Sequence, residues 1–550
     1  MIRAVERSDE PTARPASLER PDWAATQAMH EAAIAAGGGG DSHQGLAVAL
    51  FWQNEVDGAI RAMERAYAAF LHETAPGRAA WAALWIAGQY SRHKGNRAVA
   101  AGWVARCERL LARAEPSAET GRVILIRALA TDDPVAIVAA AERAMEISRR
   151  FGDADYEALA LAYSGLAMLS LGRLEEGRAR LDEAMAATTA GEVRAPEAVG
   201  QIYCALLAGC ERTVDFQRAD QWRQVAGPFL DAYDHIGVTG TCRATYAGVL
   251  AATGDWPEAE LELVHALRTF DAAARGMRAD AVVRMADLMI RQGRLDEASR
   301  LMEGNESHPD AQQPLAELEL ARGRPKVAAA LLERRVHQLG ATNLQSAPLL
   351  LRLVEAQIGA GDPTAARVSA AMLARLAEVA KGDCLYGMAG LAQGLATAAE
   401  GSDPVAELDV ALGHLERARM RWEAARARLA IAEAAATRNP ELATREARLA
   451  MEGFTALGAG PGADRARSQL RRLGVRTAGG PAAKAGLSRR EAEVARLIGL
   501  GLSNDQVAAR LFLSPRTVEH HVSSILRKLP ATGRAEIAVY ASRHLGTDSG

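Results

Sequence analysis

The sequence predicts an all-α protein, an α-solenoid of helix hairpins followed by a small four-helix domain. Three observations carry this. Helix-breaking turns recur about every 40 residues over residues 41–473. Across several of those turns, small residues lie in pairs twelve positions apart. Residues 487–545 then crowd three helix-start signals into one short stretch. Alternation of β-branched residues persists nowhere, and the recurring turns rule out a long coiled coil.

Taken in chain order, residues 1–40 are expected to be disordered or flexible. The first 20 are rich in Arg, Pro and Glu, and Gly37 to Gly40 form a run of four glycines. The solenoid is expected over 41–473. Its turns fall near Asn54, Gly95, Asp133, Gly172, Asp215, Gly254, Gly293, Gly323, Gly361, Asp403 and Asn439. Roughly ten hairpins follow from that spacing. The small pairs are Ala47/Ala59, Gly88/Ala100, Gly165/Gly177, Ala247/Ala259 and Ala286/Ala298, with Ala66, Ala184 and Ala266 small again seven positions later. Twelve residues span one helix, a tight turn and the start of the next, so each pair marks a helix crossing.

One helix of each stacked hairpin lines a concave surface, which suits a protein or small-molecule effector. Trp81, Trp85, Tyr90, Tyr203, Trp222, Tyr246 and Trp256 are aromatics for such a groove, although filling the core between helices is the commoner fate of each. His93, His265 and His308 are isolated and lack metal-ligand spacing. Residues 474–486 are rich in Gly, Ala and Pro and are expected to be a linker.

The C-terminal stretch reads residue by residue. Ser488 and Glu491 have the spacing of a capping box, as do Ser503 and Gln506. Gly501 offers a left-handed stop between them. Ser514 is an N-cap, and Pro515 begins the third helix where its missing N–H costs nothing. Val518, Val522, Ile525, Leu526 and Leu529 then turn inward, leaving Glu519, His520 and Ser523 together on the opposite face near the helix start. A recognition helix keeps its base readers there. Residues 481–550 carry ten Lys/Arg against six Asp/Glu in a chain of formal net charge −3, so the basic end is the polyanion-binding end. Arg465, Arg467, Arg471, Arg472 and Arg476 extend it, or simply cover an exposed helix face.

The segment GLSNDQVAARLFLSPRTVEHHVSSILRKL closely resembles the helix-turn-helix of the LuxR family, over about 60 residues in all. The resemblance implies a four-helix domain over 487–545 that binds double-stranded DNA, with the fourth helix supporting a homodimer. It also implies base contacts at Glu519, His520 and Ser523. Backbone contacts are implied at Arg516, Thr517, His521, Arg527 and Lys528. Pro530-Ala531-Thr532-Gly533 departs from the family's Gly-led turn, while Arg534 to Arg543 still reads as a helix. Upstream, AYSGLAMLSLGRLEEGRARLDEAM (162–185) resembles a tetratricopeptide repeat, with Gly165, Gly177, Leu181 and Ala184 at its characteristic positions.

The combination looks like the C-terminal part of the large ATP-binding LuxR regulators. Yet no G-x-x-x-x-G-K-[ST] phosphate loop occurs, nor the alternating pattern of a phosphorylated receiver domain. No nucleophile triad or carboxylate pair stands out, so neither catalysis nor a cofactor is expected. Five cysteines, Cys107, Cys204, Cys210, Cys242 and Cys384, form no C-x-x-C pair, which argues against structural zinc and a disulfide framework. With no long apolar run and no hydrophobic leader, a cytoplasmic protein with reduced thiols and no membrane contact is expected. The functional expectation is a transcription regulator whose solenoid senses a signal. An interaction scaffold with an accessory DNA-binding domain stays open as the alternative.

Overall fold

The structure is a computed structural model that describes residues 22–131, 133–232, 237–273, 277–340, 342–475, 487, 489–511, 514–529 and 533–544. Its regular elements, among the described residues, are helices. Internal contacts divide the chain into two units, Met1–Ala466 and Arg467–Gly550. That division falls inside the last helix of the repeat region rather than in the linker expected at 474–486, most of which lies outside the described residues.

The first unit opens with a helix where a flexible segment is expected. Helix α1 (Trp23–Ala35) is capped by Asp22, whose side chain accepts from the Ala25 amide at 3.0 Å. Trp23 stacks on Trp52 with ring centroids 5.6 Å apart, which ties α1 down although none of its residues is fully buried. The glycine run is not a loose hinge either. Gly37 turns the chain at φ 90°, but the Gly40 amide donates to Glu73 at 2.7 Å, and a Cβ on Gly40 would lie 2.3 Å from the Phe70 ring.

Eleven helix hairpins follow among the described residues. They are α2 (Gly40–Trp52) with α3 (Val56–His72), α4 (Pro76–Arg92) with α5 (Arg97–Leu111), α6 (Ala118–Leu129) with α7 (Pro134–Phe151), and α8 (Ala154–Ser170) with α9 (Leu174–Thr189). Next come α10 (Pro196–Arg212) with α11 (Phe216–Ala232), α12 (Gly237–Thr253) with α13 (Trp256–Ala273), and α14 (Arg278–Gln292) with α15 (Leu295–Met302). The last four are α16 (Gln312–Ala321) with α17 (Pro325–Leu339), α18 (Ser346–Gly359) with α19 (Pro363–Ala380), α20 (Asp383–Ala399) with α21 (Val405–Arg417), and α22 (Arg421–Ala434) with α23 (Pro440–Ala456). Helix α24 (Gly460–Arg472) ends the array.

Each of the eleven expected turns lies between the two helices of a hairpin. The chemistry is local. Gly172, Gly254, Gly293, Gly323 and Gly361 reverse the chain at φ between 72° and 93°, where a side chain would be strained. Elsewhere, the side chains of Asn96, Asp133, Asp362 and Asn439 accept from the first-turn amides of α5, α7, α19 and α23. Helices α4, α7, α10, α17, α19 and α23 start with Pro.

Small residues set how closely the helices approach. A Cβ on Gly165 would lie 2.7 Å from the Gly177 carbonyl oxygen, so α8 and α9 cross backbone to backbone. Ala47, Ala59, Ala247, Ala259, Ala286 and Ala298 are all fully buried. Gly88 departs from the pattern, because a Cβ there would meet only the Arg92 guanidinium of its own helix. The aromatics mostly fill the core: Trp85, Tyr203, Tyr246 and Trp256 are buried, while Trp81, Tyr90 and Trp222 are half-buried against it.

Two features correct the sequence reading. Cys204 and Cys242, expected as free thiols, form a disulfide between α10 and α12. They lie 38 residues apart, a few short of the 41-residue offset between these two helices, on first helices that stack on each other, so Cys242 sits about one turn nearer its helix start than Cys204. Cys107, Cys210 and Cys384 remain free. Second, the array curls back on itself instead of leaving an open groove. Arg421 at the start of α22 pairs with Asp255, in the α12–α13 turn, at 2.9 Å. Trp422 meets Trp256 edge to face at 6.3 Å, and a Cβ on Gly293 would lie 2.8 Å from the Pro461 ring.

Candidate nucleic-acid interface

The second unit contains α25 (Arg489–Gly499), α26 (Asn504–Leu511), α27 (Pro515–Lys528) and α28 (Arg534–His544). Their shared core is Val494, Ala495, Ile498, Val507, Ala508, Val518, Ile525, Ile537 and Ala541, all buried. Val522, Leu526 and Leu529 pack against it, as their helical spacing predicts.

Local signals place each helix. Gly501 at φ 82° ends α25, and the Leu502 amide donates back to the Leu497 carbonyl at 3.2 Å. At α26 the Ser503 amide donates to Gln506 Oε1 at 2.8 Å while the Gln506 amide donates to Ser503 Oγ at 3.2 Å, a reciprocal capping box. At α27, Ser514 Oγ accepts from the Thr517 amide at 3.1 Å, and Pro515 takes the first helical position. Ser488 and the Pro530–Thr532 turn lie outside the described residues.

The packing of α27 leaves one face open. Glu519, His520 and Ser523 are exposed there, and Arg516 and Thr517 are exposed one turn earlier. The Ser523 hydroxyl donates to the Glu519 carbonyl at 2.9 Å, so it rests on its own helix. Thr517 Oγ1 shares a 2.7 Å hydrogen bond with Ser514 Oγ. His521 is half-buried and Arg527 exposed. Lys528 is placed differently from its neighbour: its Nζ donates to Glu491 Oε2 at 2.6 Å.

Glu491 is the residue that sequence reasoning assigned elsewhere. It is 5% exposed, and besides Lys528 it accepts from Ser524 Oγ at 2.6 Å. Both donors lie on α27, so one buried carboxylate on α25 fixes the rotation of α27. Two arginines complete the frame. Arg490 Nη2 donates to the Leu511 carbonyl at 2.6 Å, closing the end of α26 onto α25. Arg534 donates to Asn504 Oδ1 at 2.6 Å and to the Leu502 carbonyl, tying α28 to the start of α26. A rigid three-point mount of this kind holds the open face of α27 at a defined angle.

Residues 485–541 match the family described as bacterial regulatory proteins, luxR family. The C-terminal unit contains a LuxR-family domain. The transcriptional regulatory protein LnrK of Bacillus subtilis is 40% identical over 58 residues, which cover 10% of this chain and 26% of LnrK. The response regulator protein VraR of Staphylococcus aureus is also 40% identical over 58 residues, covering 10% of this chain and 28% of VraR. A putative HTH-type transcriptional regulator of Mycobacterium tuberculosis is 43% identical over 53 residues, 10% of this chain and 6% of that protein. The chain thus spans about a quarter or less of the length of these relatives, and the shared part is the LuxR-family domain. Among solved structures, yeast Tom70 aligns with 79% of this chain and 92% of its own at 9% identity, with a TM-score of 0.29.

Among the described residues, no group of three or more His, Cys, Asp or Glu could hold a metal ion, and no helix is long and apolar enough to cross a membrane.

Proposed function

We propose that this protein is a sequence-specific DNA-binding transcription regulator that works in the cytoplasm, with its repeat unit sensing a protein or small-molecule signal. The observation that carries the reading is the open face of α27, presented by a LuxR-family domain whose recognition helix is pinned through Glu491. On DNA two chains bind as a homodimer, with each α27 in a major groove and half-sites about one helical turn apart. Glu519, His520 and Ser523 meet base edges. Arg516, Thr517, His521, Arg527 and Lys528 meet the phosphate backbone, and the α27 amides at its start favour the same anions. Lys528 does so while keeping Glu491, since an ammonium has three protons to donate.

The test is selection of bound sequences from a random duplex pool by the full chain at two salt concentrations. A palindromic motif whose enrichment weakens with salt supports the reading. Failure of the folded protein to enrich any sequence overturns it.

A further inference from the structure

Curling of the array forms a half-open cavity of about 250 Å³ inside the first unit. Every first helix from α10 to α22 contributes a side chain to its wall. Phe216, Leu349, Met388 and Met420 supply apolar surface. The charged lining is unbalanced. Three guanidiniums face five carboxylates.

Each of those guanidiniums is already engaged. Arg284 forks onto Glu211, with one arm at 2.9 Å, and also reaches Asp280 at 3.2 Å. Arg291 pairs with Asp287 at 2.6 Å, and Arg335 with Asp310 at 2.6 Å. The fifth carboxylate is Glu423, only 6% exposed, and its Oε2 accepts no hydrogen bond from the described residues. Arg352 and Arg426, whose charges act on Glu423, are bound by other carboxylates: Arg352 by Glu317 and Glu355, Arg426 by Glu355. The arginines that reach over the adjoining Trp422 ring, Arg291, Arg352 and Arg426, each pair with another carboxylate, although Arg426 Nη1 is itself without a hydrogen-bond partner among the described residues.

A buried carboxylate oxygen without a donor is costly, and a mobile cation that brings its own N–H groups removes that cost. The described residues offer no group of three metal-ligating side chains, while the wall offers apolar contact, so an organic cation fits better than a metal ion. We propose that this cavity binds a small organic amine, with Glu423 accepting from its ammonium group and the apolar wall holding its carbon skeleton. This names the chemical class of the sensed signal and rests on the sensing role above for its consequence, though not for the binding itself.

The experiment is calorimetric titration of the full-length protein at neutral pH, without DNA, using phenethylamine and 1,5-diaminopentane. The neutral 2-phenylethanol and the anionic phenylacetate serve as comparisons. At least one amine should bind ten- to a hundredfold more tightly than the alcohol and the acid, about the range expected of a hydrogen bond to a charged group. Glu423→Gln should bring amine affinity down to the level of the alcohol. Equal binding of amine and alcohol, or no binding of either amine, overturns the proposal. So does a Glu423→Gln protein with native tryptophan emission and unchanged amine affinity. Should that variant not fold, the comparison of amine with alcohol on the unaltered protein still decides. Because no DNA is present, failure here leaves the DNA-binding reading intact, and failure to select DNA leaves this site standing.

Discussion

Arg527 and Lys528 are adjacent cations with different mechanical settings. Arg527 is exposed, whereas Lys528 holds a carboxylate that is 5% exposed. Arg527→Ala is expected to weaken binding to all DNA sequences and lower the salt slope by about one phosphate's worth, with stability unchanged. Lys528→Ala takes the ammonium away from Glu491, which keeps Ser524, so it should lower the stability of the second unit as well, by about 1–3 kcal/mol. All eight tryptophans lie in the first unit, so amide exchange over 489–544 is the measurement that separates the two. Equal exchange in both variants would rule out the mount described for α27. His93 sets a pH dependence in the first unit. It packs edge-on against Phe51 at 5.7 Å, and burial, helped by the charges of Arg92 and Lys94, lowers its pKa from 6.5 to about 4. Between those two values the unfolded chain binds the extra proton, so stability should fall as pH drops from 6.5 towards 4. Tryptophan-monitored urea unfolding should show a smaller drop for His93→Gln over the same window. At this scale the sequence was partly readable. The exposed residues of α27 follow from helical spacing, whereas the partners of Glu491 sit 33 and 37 residues away, and no local pattern announces them.

At the scale of elements, the hairpins were legible because their punctuation is local. A glycine at positive φ or an Asp/Asn cap does the same work in any context. Helix α1 escaped because it buries no residue fully and so carries no strong apolar stripe. Its stabilising contact, Trp23 on Trp52, is a tertiary event. The Cys204–Cys242 bridge was hidden differently: motif reading looks for cysteines a few positions apart, whereas stacked first helices bring together residues nearly a whole hairpin apart. The small pairs make a quantitative contrast. Gly165→Ala forces a methyl to within 2.7 Å of the Gly177 carbonyl oxygen and should cost about 1–3 kcal/mol. Gly88→Ala meets only a flexible guanidinium and should gain up to about 1 kcal/mol from helix propensity. Urea midpoints of the two variants check both signs.

On the scale of the first unit, closure of the array turns a string of nearest-neighbour contacts into a loop of contacts. Asp255 and Arg421 meet across 166 residues, a separation that no periodicity in the sequence encodes. Trp422 sits at that seam, beside Trp256 and under three guanidiniums. Trp422→Ala should lower the unfolding free energy by about 3–5 kcal/mol. Amide exchange should rise in 254–302 as well as in 421–472, because each segment supports the other. Faster exchange confined to the altered helix would mean that the two ends touch without sharing stability. The seam also imposes an order on synthesis. A ribosome releases the chain from its N-terminus, and earlier hairpins can stack as they emerge, but Asp255 and Gly293 must wait for Arg421 and Pro461. For that interval the cavity wall is incomplete, and its last part arrives before the helices of the LuxR-family domain leave the tunnel.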